Sequence, residues 1–397
     1  MDTHALNKVR VVVLLSEISF TLSRHYIQIN FRSSPCIHSY AHSQHTMQHT
    51  AMLRTGYRLL SRPLRTTTNH TARLLYSTAP PPPPAGSKTI PATFQVFNRE
   101  TKRLQKERAA SNTEQSRQVD YVKDEVAFRV VDRLLDIKRE FNEVVELGSG
   151  CGHIAKHVDT DMMKKLIMCD TSETMLNRDR DVEYEVPVER RIVDEENLPF
   201  PENSLECVVS SLSMHWINDL PGAMIQIQRS LKPDGVFIAG LFGGDTLFEL
   251  RTSLQLAEQE REGGISPRVS PMADSRDLGS LLSRAGFTLT TVDVDEVTVN
   301  YPSAIELMED LRAMGESNAV INRRGLLKRD TMMAAAAIYK EMYGNEDGTV
   351  PATFQILYMI GWKPSPTQNK PLERGSAKHS LKDRLENEGS ASTPNSE

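Results

Sequence analysis

"NEVVELGSGCGHIAKHV", residues 142–158, decides how the rest of the chain is read. An apolar run ends in an acid, Glu146, and glycines then stand at positions 148, 150 and 152. "EVVELG" (143–148) reads as a buried strand, and "GHIAKHV" as the start of a helix. Glycine in a strand-to-helix turn permits positive φ and lets a ligand lie against the main chain. In an open α/β sheet that turn, beyond the carboxyl end of the strand, is where ligands sit.

The spacing of the turn narrows the ligand. A dinucleotide site would show G-x-G-x-x-G with room for a pyrophosphate at the helix N-terminus. Gly148, Gly150 and Gly152 give G-x-G-x-G instead, with Ser149 between the first two and Glu146 just before them. An anion beside a diphosphate is repulsive, whereas an anion near a sulfonium and an α-amino group is attractive. The loop therefore points to S-adenosylmethionine. Asp170 closes the next strand pattern, "KLIMCD" (165–170), at the distance expected of a ribose-binding acid. Asp194, in "VDEENLPFPENSLECVVSS", stands where an acid can receive the adenine amino group, with Leu198 or Phe200 over the ring.

Strand and helix patterns alternate outward from this point. "LECVVSSL" (205–212), "VFIAGLF" (236–242), "TLTTVDVDEVTVNY" and "ATFQILYMIGW" read as strands. "LPGAMIQIQRSLKPDG" is an amphipathic helix, "SRDLGSLLSRAGF" a helix ended by Gly286, and further helices fall at about 303 to 342. Alternation of this kind predicts an α/β fold with a doubly wound, mostly parallel, seven-stranded sheet and a helical insertion before the last strand.

The chain has 397 residues, a quarter of them charged, with a net charge of −5, which gives no reason to expect nucleic-acid binding. No apolar run approaches the roughly 18 residues of a membrane span. The four cysteines, Cys36, Cys151, Cys169 and Cys207, form no C-x-x-C pair and no zinc spacing, which fits a reducing compartment with idle thiols. From Ile18 to Arg99 there is no Asp or Glu. Residues 52–87 combine Arg54, Arg58 and Arg62 on one helical side with Leu53, Tyr57, Leu60 and Leu64 on another, then five prolines at 80–84. They read as a mitochondrial transit peptide and Pro-rich linker. Residues 1–51, rich in unevenly spaced histidines, stay unassigned and fit a start upstream of the natural one at Met52. The folded domain is expected over 88–363, and the polar, Pro/Ser-rich 364–397 as a disordered tail.

"VVELGSGCG", "MCDTS", "DEENLPFPENSLECVVSSLSMHWINDLP" and "LKPDGVFI" resemble the class I S-adenosylmethionine-dependent methyltransferases. "FNRETKRLQKERAA", "LFGGDTLFELRTSLQLAEQEREGGISPRVSP", "VNYPSAIELMEDLRAMGESNAVINRR" and "YGNEDGTVPATFQILYMIGWK" are similar, within that superfamily, to mitochondrial complex I assembly factors that are methyltransferase-like arginine hydroxylases. A bacterial cousin to weigh against them is the malonyl-carrier-protein O-methyltransferase of biotin synthesis. The resemblance implies a matrix protein, peripheral on the inner membrane, that modifies an arginine in a hydrophilic subunit of complex I. It implies cofactor contacts at Glu146, the Gly148 to Gly152 loop, Asp170, Asp194 and Ser211. The family carries a cysteine at the Ser149 position, an arginine at the Cys151 position and an aromatic at the Arg108 position. The last departure bears on how the N-terminal segment covers the cofactor.

Methyl transfer needs little beyond in-line positioning. Arginine hydroxylation needs an oxidant, which no motif here identifies. A facial triad of His157, Asp159 and His215 is the nearest approach to an iron site, and the spacing does not support it, so no metal is expected. On the substrate side stand His215 and Trp216, after the "LECVVSSL" strand, and Asp245 in "FGGDTLFELR", either a rim acid for a guanidinium or a helix N-cap. "GGISPRVSP" (263–271) reads as a loop or lid. Arg99, Lys102, Arg103, Lys106 and Arg108 mark one side of an N-terminal helix, either solvated or set against anionic lipid.

Overall fold

The computed structural model describes residues 29–32, 95–369 and 374–376. The segment expected to be a transit peptide and linker lies outside the described residues, as does most of the expected tail. Eight strands make one sheet: β1 (Ile29–Arg32), β2 (Val144–Leu147), β3 (Leu166–Asp170), β4 (Val188–Ile192), β5 (Leu205–Ser211), β6 (Leu231–Phe242), β7 (Thr288–Tyr301) and β8 (Val350–Trp362). Their order is β1-β7-β8-β6-β5-β2-β3-β4. From β4 to β6 the pairs are parallel, and β8 runs antiparallel between β6 and β7. The six strands read from the sequence are present as β2, β3, β5, β6, β7 and β8, and β4, which no pattern marked, completes the expected seven. β1 adds a short antiparallel edge to β7 that the sequence did not announce.

Side chains alternate along the central strands, so the sheet has two apolar faces. Val144, Met168, Val209 and Ile238 belong to one core cluster, and Val145, Ile167, Val208 and Phe237 to the other. α3 (Tyr121–Leu135) covers the first face with Val122, Val126, Val130 and Leu134, spaced at helical period. α5 (Leu220–Ser230) and α7 (Ser275–Ala285) cover the second through Met224, Ile227, Leu278 and Leu282. Full burial of each such side chain stabilises by about 1.5–3 kcal/mol, so an ionised residue at Val126 would break the first layer. The remaining helices are α1 (Arg99–Ser111), α2 (Thr113–Gln118), α4 (Glu173–Asn177), α6 (Phe248–Glu262), α8 (Ala304–Ala313) and α9 (Arg329–Tyr343). α8 and α9 form the expected insertion before the last strand. Among the described residues no helix is long and apolar enough to cross a membrane.

Two expectations fail locally. The helix read through "LKPDG" ends at Ser230, and Leu231–Gly235 open β6. "GHIAKHV" is a single 3-10 turn, Ile154–Lys156, rather than the start of an α-helix. His153 and Lys156 turn back to Asp124 of α3, at 2.7 Å and 2.8 Å, and Asp159 then caps the amides of Asp161 and Met162. These local bonds satisfy the backbone in a turn and leave too little chain before β3 for a helix.

Candidate functional site

The site is built at the carboxyl ends of β2, β3 and β5. Gly148, Gly150 and Gly152 all take positive φ, at 71°, 57° and 90°. A Cβ on Gly148 would lie 2.0 Å from Ser213 Oγ, and one on Gly152 would lie 2.8 Å from Met168 Cε. Backbone conformation and close approach thus both require glycine there. The loop carries Ser149 inward, where its amide donates to the Cys169 carbonyl at 2.9 Å.

Three polar groups around this loop are buried without a hydrogen-bond partner in the protein: Glu146 Oε2, Ser211 Oγ and both ring nitrogens of His215. Glu146 sits on β2 opposite Val209 of β5, two residues before Ser211, so the first two lie near each other at neighbouring strand ends. Burial, and then the nearby Asp170 carboxylate, holds the Glu146 carboxyl well above its ordinary range. An incoming cation would restore its charge. Leu212 adopts a left-handed φ of 49°, which turns the chain from β5 into the 3-10 turn Met214–Trp216 and presents His215 and Trp216. Burial keeps the His215 imidazole neutral by lowering its pKa, and its Nε2 stands 3.6 Å from Glu316 Oε2, beyond hydrogen-bond length.

Asp170 is fully buried at the end of β3 and accepts from the amides of Gly150 and Ser172 at 3.0 Å and 2.9 Å. Lys106 of α1 also reaches it, at 2.8 Å. Asp194 is half-exposed at the rim and pairs with Arg99 at 2.9 Å. Glu195, one residue on, is the buried carboxylate: it pairs with Arg99 and accepts from Ser213 Oγ at 2.9 Å. Burial alone would raise the Glu195 pKa, but Arg99 and Lys106 outweigh it and bring it to about 2. Leu198 and Phe200 lie partly buried against the second core cluster.

Three of the five basic residues on α1 turn inward, while Arg103 is partly exposed and Arg108 exposed. Arg99, Lys102 and Lys106 fall at helical spacing on one stripe that turns inward onto Glu195, Glu316 and Asp170. Arg103 pairs with Glu100 and Glu107 along the helix itself. Ala109 and Ala110 of the same helix pack on Cys151 and Met175, so α1 roofs the glycine loop. Lys102 and Glu316 were not singled out as site residues, because the acid that explains the lysine lies 214 residues away. Glu316 also accepts from Trp216 Nε1 at 2.8 Å and lies 3.5 Å from Lys123.

The remaining candidates separate. Asp245 is exposed and accepts from Gln355 Nε2 at 3.0 Å; the N-cap of α6 is Leu247, so Asp245 does not cap that helix. Residues 263–271 are held down by Arg268 on Glu258 at 2.6 Å and by Asn318 on the Pro267 carbonyl at 2.5 Å. His157 packs edge-on against Phe128. Among the described residues no group of three His, Cys, Asp or Glu is placed to hold a metal ion. Burial pushes the Cys151 and Cys169 thiols up to about 12, which leaves them inert.

Comparison with known proteins places this geometry. A methyltransferase-domain family model matches residues 145–239, from β2 into β6. The chain is 56% identical over 288 residues to "Arginine-hydroxylase NDUFAF5, mitochondrial" of Danio rerio, covering 72% of this chain and 89% of that one. The protein of the same name from Homo sapiens is 55% identical over 289 residues, covering 73% and 83%. A malonyl-acyl-carrier-protein O-methyltransferase of Halorhodospira halophila is 32% identical over 274 residues, covering 68% and 90%. With its glycine turn, strand-end acids and methyltransferase sheet, the chain belongs to the mitochondrial arginine-hydroxylase NDUFAF5 family of methyltransferase-like enzymes.

Proposed function

We propose that this chain binds S-adenosylmethionine in the cleft above β2, β3 and β5 and hydroxylates an arginine of a hydrophilic subunit of mitochondrial complex I. The observation that carries the activity is 56% identity across 89% of a relative named as an arginine hydroxylase. Glu146 Oε2 and Ser211 Oγ, buried and unpartnered, fit the amino-acid end of the cofactor. The positive-φ turn from Gly148 to Gly152, with Ser149, admits it against the main chain. Asp170 is the acid for the ribose, and Asp194 at the rim the acid for the adenine. The enzyme works in the matrix, with peripheral contact to the inner membrane.

The bound cofactor supplies a sulfonium cation and an adenosine; insertion of oxygen into a carbon–hydrogen bond requires an oxidant in addition to the residues named here. His215, neutral and buried, can take up a proton, and Trp216 offers an aromatic face beside it. Incubating the full chain with the partner subunit, S-adenosylmethionine, dioxygen and a two-electron reductant, so that one oxygen atom can enter the C–H bond and the other leave as water, then weighing the subunit, separates the alternatives. Gain of one oxygen is the expected result. Gain of one methylene would assign methyl transfer, the activity in the name of the Halorhodospira halophila relative, and an unchanged mass would assign a chaperone without chemistry.

A further inference from the structure

Trp216, Glu316 and the Gly315 carbonyl surround the ammonium group of Lys102, while Lys123 lies 3.5 Å from the other oxygen of Glu316. The Lys102 Nζ lies 3.8 Å from the centre of the Trp216 ring, 2.8 Å from Glu316 Oε2 and 2.8 Å from the Gly315 oxygen. Trp216 Nε1 donates to the same carboxylate oxygen at 2.8 Å, which fixes the ring, and Phe97 braces that ring edge-on at 5.2 Å. An aromatic face, a carboxylate and a carbonyl together recognise an organic cation. A planar guanidinium, with a stacking surface and a fork of donors, suits such a cage better than a compact ammonium does.

Lys102 is a weakly held tenant. It is 3% exposed, and burial brings its pKa down to about 7 even with Glu316 beside it. A buried ion pair of this kind is a poor source of stability compared with apolar residues of the same size. The cage also stands where substrate chemistry belongs, next to His215 at the carboxyl end of β5.

Resting on the arginine reading above, we propose that the Trp216–Glu316–Gly315 cage is the subsite for the guanidinium of the target arginine, and that Lys102 fills it in the free protein until the substrate side chain takes its place. Lys102 shares its stripe of α1 with Arg99 and Lys106, which occupy the acids on the cofactor side. Cofactor and substrate therefore displace neighbouring cations of one helix.

The test uses the full chain saturated with S-adenosylmethionine and titrated with Nα-acetyl-arginine amide. The chain has two tryptophans, so a Trp362→Phe background isolates the fluorescence of Trp216. Lys102→Met should bind the amide at least tenfold more tightly than its parent, and adding Glu316→Gln should remove the gain. Lys102→Arg, which supplies a guanidinium from within and keeps the ion pair, should bind at least threefold more weakly. It keeps the proposal exposed to failure even if Lys102→Met does not fold. The neutral isostere, Nα-acetyl-citrulline amide, should show no preference for Lys102→Met. Equal affinities across parent, Lys102→Met and Lys102→Arg would overturn the proposal. The weighed product reports on the activity separately. Oxygen gain with equal affinities sinks the cage and leaves the hydroxylation standing; tightened binding without oxygen gain supports the cage and sinks the hydroxylation.

Discussion

The glycine turn and helix α1 meet over one cleft and shape it by opposite means. The turn removes side chains: three residues of positive φ leave the main chain bare, and Gly148 has Ser213 where a Cβ would be. The helix adds them, sending Arg99, Lys102 and Lys106 onto Glu195, Glu316 and Asp170. The turn is fixed by backbone sterics, which nothing distant can alter. α1 is fixed by charge pairs, which a ligand carrying its own cation or hydroxyls can compete for. One side of the cleft is thus rigid and the other exchangeable.

Breaking the rigid side should have the largest effect. Gly148→Ala forces a Cβ to within 2.1 Å of both the Ser213 Oγ and Cβ atoms at a left-handed φ. We expect more than hundredfold weaker S-adenosylmethionine binding by calorimetry, with destabilisation on the order of 2–4 kcal/mol by chemical denaturation. The next effect lies on the α1 side and depends on pH. Glu195 has its pKa lowered from 4.5 to about 2, so it contributes stability that is full above pH 4.5 and is lost as pH falls toward 2. Glu195→Gln should remove on the order of 3 kcal/mol at neutral pH and flatten the acid-unfolding profile across that window. A profile identical to that of the parent would show that Arg99 gains nothing from Glu195.

Lys106→Met sharpens the contrast. It frees Asp170 of its competitor while leaving the amides of Gly150 and Ser172 on the carboxylate. The expected change is about three- to tenfold tighter cofactor binding, equivalent to roughly 0.7–1.4 kcal/mol. Weaker binding would make Lys106 a cofactor ligand and the helix a fixed wall. The smallest effect belongs to Asp245→Ala, where an exposed side chain loses one bond to Gln355; stability should move by less than about 0.5 kcal/mol in urea denaturation.

What could be seen in the sequence follows the same division. The strands were legible because β2, β3 and β5 are apolar runs bounded by turn residues, and the glycine loop because its spacing acts within five residues. Asp170 could be placed because it ends a strand. The helix expected at "GHIAKHV" gave way to a 3-10 turn because its polar residues bond to Asp124 on α3, a tertiary fact. The basic run on α1 was visible as a stripe, but its acids were not: Lys106 and Asp170 are 64 residues apart, and Arg99 and Glu195 are 96 apart. Period and composition report on a side chain's own element, whereas ion pairs across elements depend on how the sheet brings strand ends together. Glu195 illustrates the limit. Beside Asp194 in "DEEN" it carries no local sign of being the buried member; its partners inside, Ser213 and Arg99, come from other elements.

The most direct test is a calorimetric titration of the full chain and of Asp170→Ala with S-adenosylmethionine. A buried acid gripping the ribose contributes charge-assisted bonds of about 1.5–3 kcal/mol each, so the variant should bind roughly ten- to a hundredfold more weakly than the parent. Heat of binding in the parent with that loss in the variant is the predicted result. An unchanged dissociation constant, or no heat from the parent at all, would contradict it.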